Sequence, residues 1–135
     1  MSTDLITLER DETLNLAEEV MRLARIRHLP VTEGARLVGL ITHRDLLRAQ
    51  SSNMANLTDD ERREVQSTVK AGDIMRGGVT TCRADTSVLE AAKILRQQKF
   101  GCLPVVDEDH KLLGIITEAD FLDLVIRALE DAERN

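Results

Sequence analysis

Thr42 and Asp45 stand three residues apart in the stretch GLITHRD (39–45), and Thr117 and Asp120 repeat that spacing in GIITEAD (114–120). A hydroxyl and a carboxylate at this spacing, after an apolar β-branched run, fit a strand-to-helix junction. Two kinds of chemistry suit the pair. In the first, the Thr hydroxyl accepts a free N–H of the helix start and the acid sits in the first turn; such a cap contributes about 1 kcal/mol. In the second, hydroxyl and carboxylate converge on one helix face. There the two carboxylate oxygens can accept both hydrogens of a ribose 2′,3′-diol. The N–H groups of the helix start would favour a phosphate nearby. Capping boxes prefer the longer Glu or Gln at the fourth position, so Asp in both copies leans toward ribose. The two readings are compatible, and both stay open.

Other chemistries find little support. There is no GxSxG, no phosphate-loop lysine and no Ser-His-Asp grouping. His28, His43 and His110 are scattered, and Cys82 and Cys102 are the only cysteines. No metal-ligand spacing is formed, so no metal site is expected. Both cysteines read as reduced packing residues, because a free thiol behaves as a small hydrophobe.

Composition narrows the class further. The 135 residues are 42% apolar and 31% charged, which suits a folded chain with one core or two small ones. Two Phe and no Trp or Tyr leave an aliphatic interior and no aromatic platform for stacking bases. The formal charge is −6 and no basic tract occurs, so a nucleic-acid partner is not expected. No apolar run approaches the roughly 20 residues of a membrane span. The N-terminus has no signal-peptide core, which predicts a cytoplasmic protein without a membrane partner.

The elements that must position the two Thr/Asp pairs also recur. DETLNLAEEVMRLARIRHLPV (11–31) lies over DTSVLEAAKILRQQKFGCLPV (85–105) at an offset of 74 residues, with Asp11 on Asp85 and Pro30 on Pro104. One extra residue in the second polar turn shifts the following glycines to an offset of 75. Each half predicts a short strand (5–8 and 79–82), then a helix carrying Leu14, Ala17, Val20, Met21 and Ala24, or Val88, Ala91, Ala92 and Leu95. A β-hairpin follows, and a second helix begins after Thr42 or Thr117. The two prolines fit strand entrances or edges. Thr58 and Glu61 have capping-box spacing, so a connecting helix over about 59–69 is expected after a break at 53–56.

This order, with DIM (73–75) before the second repeat, LPV inside each and G-h-I-T-x-x-D closing each (h apolar), resembles the CBS domain over essentially the whole chain. The resemblance implies an α+β fold of two β-α-β-β-α repeats packed with pseudo-twofold symmetry. The divisions are a first repeat at 1–50, a helical linker at 51–70 and a second repeat at 71–135. One departure stands out. TVKAGDIM (68–75) reads as a lead-in helix to the second repeat, yet Met75 corresponds to Met1, so the first repeat starts where its own lead-in helix would end.

CBS pairs are similar in binding adenosine-containing ligands (AMP, ADP, ATP or S-adenosylmethionine) in clefts between the repeats, commonly as dimers that regulate a partner. By that resemblance Thr42, Asp45, Thr117 and Asp120 would hold ribose. Arg27 and His28, just before the first LPV, match positions that reach phosphate, with Arg44, Arg76 and Arg83 as further candidates. Gly101 and Cys102 stand in the second repeat's place, so the first-repeat site is the expected phosphate-bearing one. Ile6, Thr7, Pro30, Val31, Thr80, Thr81, Pro104 and Val105 would wall the base, although most suit a core equally, and for Val31 and Val105, like Leu29 and Leu103, core packing is the better account. The implied function is a regulatory, non-enzymatic sensor whose adenine nucleotide is a regulatory ligand, with no required cofactor. The alternative is a dimerisation module with vestigial clefts. The stripe Phe121, Leu122, Val125, Ala128 and Leu129 is expected to give part of a homodimer contact.

Overall fold

The structure, a computed structural model, describes residues 5–54, 56–98 and 101–134. It is an α+β protein whose contacts divide it into two units: Ile6–Val79, and a second to which residues 80–134 belong.

In the first unit, Thr13 caps helix α1 (Leu14–Ala24) by accepting the N–H of Leu16 at 3.4 Å. The apolar spacing of α1 turns Leu14, Ala17 and Met21 inward, onto Leu29, Val31, Ile41 and Leu46. Arg25 ends the helix in the left-handed conformation (φ 55°), and its N–H returns to the Met21 carbonyl. Strands β1 (Leu8–Glu9), β2 (His28–Glu33) and β3 (Arg36–Thr42) form one sheet in that order, β1 parallel and β3 antiparallel to β2. The first strand is shorter and later than the expected 5–8, since pairing begins only where Leu8 meets Val31. Pro30 lies inside the central strand rather than at an entrance or edge. It costs no ladder bond there, because its partner Leu40 exchanges both backbone hydrogen bonds with Arg76 instead (3.0 and 2.9 Å).

Helix α2 (His43–Met54) follows β3 directly. It carries helix into the break expected at 53–56, of which Ala55 lies outside the described residues. Thr58 and Glu61 form the expected capping box on α3 (Asp59–Gln66). The helix stops three residues early because the hydroxyls of Ser67 and Thr68 donate to the carbonyls of Glu64 and Val65. The expected lead-in helix shrinks to a single turn, α4 (Ala71–Ile74). Val69 accepts the N–H of Leu14, and Lys70 bridges Thr13, so the chain there is extended. Residues 71–79, which the repeat register groups with the second half, make their contacts in this first unit.

In the second unit, Ser87 caps α5 (Val88–Gln97), and β4 (Cys102–Val106) pairs antiparallel with β5 (Leu112–Thr117). The strand expected at 79–82 is a single bridge from Cys82 to Val105. It ends at once because Arg83 turns away, its N–H on the Thr86 hydroxyl at 3.0 Å. The extra residue of the second turn is absorbed by Asp107, whose Oδ1 accepts the N–H groups of Asp109 and Lys111 (both 2.9 Å), with His110 at φ 65°. Cys82, Ala91, Leu95, Leu103 and Val105 make the core, against which Ile94, Ile116 and Phe121 pack. Helix α6 (Glu118–Arg134) runs 17 residues without burying one.

Candidate ligand site at the strand-to-helix corners

Both Thr/Asp pairs occupy the corner where the last strand of a hairpin becomes a helix. At the first, the Asp45 N–H donates to Thr42 Oγ1 (3.1 Å) and the Thr42 N–H donates to Asp45 Oδ2 (3.0 Å). The short Asp thus closes the reciprocal box usually made by Glu, because the Thr42 N–H already points at it. Antiparallel register sets His28 opposite Thr42, and the His43 N–H reaches back to the Arg27 carbonyl at 2.8 Å.

Asp45 is only 7% exposed, so its charge needs partners. Arg76 supplies them: Nε donates to Oδ1 at 2.9 Å and to Oδ2 at 3.2 Å, and Nη2 lies 2.9 Å from Oδ1. Burial pushes the Asp45 carboxyl up, but the two bonds from Thr42 and the Arg76 guanidinium outweigh it and hold the group below its ordinary value. Arg76 itself is held by the backbone it shares with Leu40. Gly39 makes that approach possible: a Cβ there would meet the Met75 side chain and the Arg76 carbonyl oxygen, the latter at 2.9 Å. The first glycine of GLITHRD and the Met of DIM are therefore two halves of one contact. The α4 turn is anchored in the same way, with the Ala71 and Gly72 N–H groups on the carbonyls of Glu12 (2.8 Å) and Arg10 (2.9 Å).

The second corner has the same backbone and different chemistry. The Thr117 N–H donates to Asp120 Oδ2 at 2.9 Å, and Cys102 stands opposite Thr117. Asp120 is half-buried, and among the described residues no Arg or Lys pairs with it.

The remaining candidates scatter. Arg27 lines a cavity of about 470 Å3 over α1 and α2 with Arg22, Arg25, His43 and Leu46; Thr42, Asp45 and Arg76 do not line it. Arg44 is exposed in the first turn of α2, and Arg83 is exposed beside its turn. Of the proposed base wall, Pro30, Val31, Pro104 and Val105 are core, as are Leu29 and Leu103. Ile6, Thr7 and Thr80 are exposed and Thr81 is half-buried. Sequence reasoning named Arg76 but missed its partner, since nothing local links positions 31 residues apart. It also missed Gln66, 1% exposed, which ties α3 to α1 through Asn15 (2.9 Å) and Glu18 (2.8 Å). Among the described residues, no helix is long and apolar enough to cross a membrane.

Two hairpin-to-helix corners of one design, each closed by Thr-x-x-Asp, define a CBS-type pair. The CBS domain family model matches residues 1–52 and 71–127, and the chain belongs to that family. A CBS domain-containing protein of Dictyostelium discoideum is 37% identical over 131 residues, covering 96% of this chain and 90% of that one. Longer relatives match as well: the chain spans 21% of the inosine-5'-monophosphate dehydrogenase of Methanocaldococcus jannaschii, at 32% identity over 88% of its own length. Among solved structures, Arabidopsis thaliana CBSX2 in complex with AMP superposes with a TM-score of 0.77 at 27% identity, covering 93% of this chain and 90% of that one. The CBS pair of MJ0100, in complex with 5'-methylthioadenosine and S-adenosyl-L-methionine, gives 0.75 at 26% identity over the same shares.

Proposed function

We propose that this chain is a cytoplasmic regulatory module, not an enzyme, that senses an adenosine-containing ligand such as AMP, ADP, ATP or S-adenosylmethionine. The observation that carries the reading is the pair of corners, each holding an Asp against the N–H of a Thr three residues earlier. That geometry fixes a carboxylate beside a helix start, where it can accept a ribose diol. The AMP and S-adenosylmethionine complexes of structural relatives support the ligand class. Binding would act by favouring one state of the module, or of a regulated partner, over another.

Thermal-shift titration with AMP, ATP, S-adenosylmethionine and NADH tests it. A ligand at 100 times its Kd stabilises by about 2.7 kcal/mol, an easily read rise in Tm. No rise with any of the four rejects the sensor.

A second reading, an assembly module, is favoured by helix α6. Leu122, Val125, Ile126 and Leu129 are all more than 40% exposed and share one face at i, i+3, i+4 and i+7. A contiguous apolar face of this kind is where a second copy would pack, giving a homodimer. Dimerisation without any ligand response would make assembly the whole function.

A further inference from the structure

The two carboxylates proposed to hold ribose are not equally available, and the difference is built into the backbone. At Asp45 both oxygens are occupied from within the chain. Oδ2 accepts the Thr42 N–H and Arg76 Nε, and Oδ1 accepts Arg76 Nε at 2.9 Å with Nη2 at the same distance. A ribose diol needs those same oxygens as acceptors, so it competes directly with the guanidinium. The main chain anchors Arg76 beside Asp45. Its backbone exchanges two hydrogen bonds with Leu40, and Met75 fills the space over Gly39. Asp45 is 7% exposed, so a ligand that displaced the guanidinium would have to replace its hydrogen bonds with donors of its own. The two neutral hydroxyls of a diol must outcompete a charged fork already in place.

Asp120 differs on each count. Its Oδ2 accepts the Thr117 N–H at 2.9 Å, and among the described residues no cation pairs with either oxygen. In the 74-residue sequence register the counterpart of Arg76 is Ser2, an uncharged residue that lies outside the described residues.

We infer that Arg76 acts as a built-in occupant of the first ribose site, so that the chain takes one adenosine ligand, on Asp120. This rests on the ligand-binding reading above and reverses the order of the two sites expected from Arg27 and His28. The first site is closed by an internal guanidinium, whose removal opens it.

Calorimetric titration of the full chain with AMP tests the inference. Wild type is expected to bind one AMP per chain, and Asp120→Asn to lose that binding. Arg76→Ala is expected to bind two. Arg76→Met, which keeps an apolar stem as far as the Nε position but no charge, does the same if the alanine variant folds poorly; circular dichroism establishes the folded state of each. Two sites in wild type, or one site in both Arg76 variants, overturns the inference alone. Silence from all four proteins overturns it together with the ligand reading.

Discussion

Arg76 and Asp45, 31 positions apart, meet as a buried carboxylate and a half-exposed guanidinium at 2.9 Å. Asp45 caps the helix of GLITHRD, and Arg76 follows the DIM turn that Gly39 admits to the edge of β3. One ion pair thus ties the first repeat's closing motif to the segment that leads toward the second.

That pair carries a pH signature. The Asp45 carboxyl lies below its ordinary 3.8 in the folded protein, so the unfolded chain takes up its proton first as pH falls. Its contribution to stability is complete above about pH 4 and is lost as pH drops through the lowered folded value. Urea unfolding between pH 2 and pH 6 should show this loss in wild type. In Arg76→Ala it should be smaller. At pH 7 that variant should be less stable by an amount between the ~1 kcal/mol of an exposed pair and the ~3 kcal/mol of a buried one.

Gly39→Ala tests the close approach of DIM. The added methyl meets the flexible Met75 side chain, which can move, and the Arg76 carbonyl, which is tied to Leu40. Overpacking of this kind costs about 1–3 kcal/mol, read as a lower urea midpoint with unchanged m. Gly77→Ala, with open space where its Cβ would stand, should change the midpoint far less.

The two thiols should be inert in the folded state. Burial raises both, Cys102 to about 12, which suppresses the reactive thiolate in the folded state. With Ellman's reagent, native protein should release little colour over minutes, and protein in 6 M guanidinium should release two equivalents at once. Rapid native reaction would show that the second core opens locally.

The exposed face of α6 gives the test of assembly. Leu129→Glu places a charge in the apolar stripe without touching a buried residue, since α6 buries none. Sedimentation at micromolar concentration should show wild type as a dimer and the variant as a monomer with an unchanged melting profile for its secondary structure. A monomeric wild type removes the assembly reading.

The sequence by itself determined the repeat, the element order and the family. These follow from periodicity and caps, which act over three or four residues: Leu14, Ala17 and Met21 on one helix face, Thr58 with Glu61, Thr42 with Asp45. Where a distant backbone group competes, local reasoning loses. Pro30 sits in a central strand because Leu40 bonds to Arg76, and the lead-in helix is cut to one turn because Val69 and Lys70 pair with the start of α1. The inequality of the two corners was legible only as a difference of basic residues, Arg27 and His28 against Gly101 and Cys102. Tertiary structure decided which cation reaches the carboxylate, and it is Arg76. An ion pair depends on distance in space, and Gly39, by lacking a Cβ, sets that distance from 37 residues away.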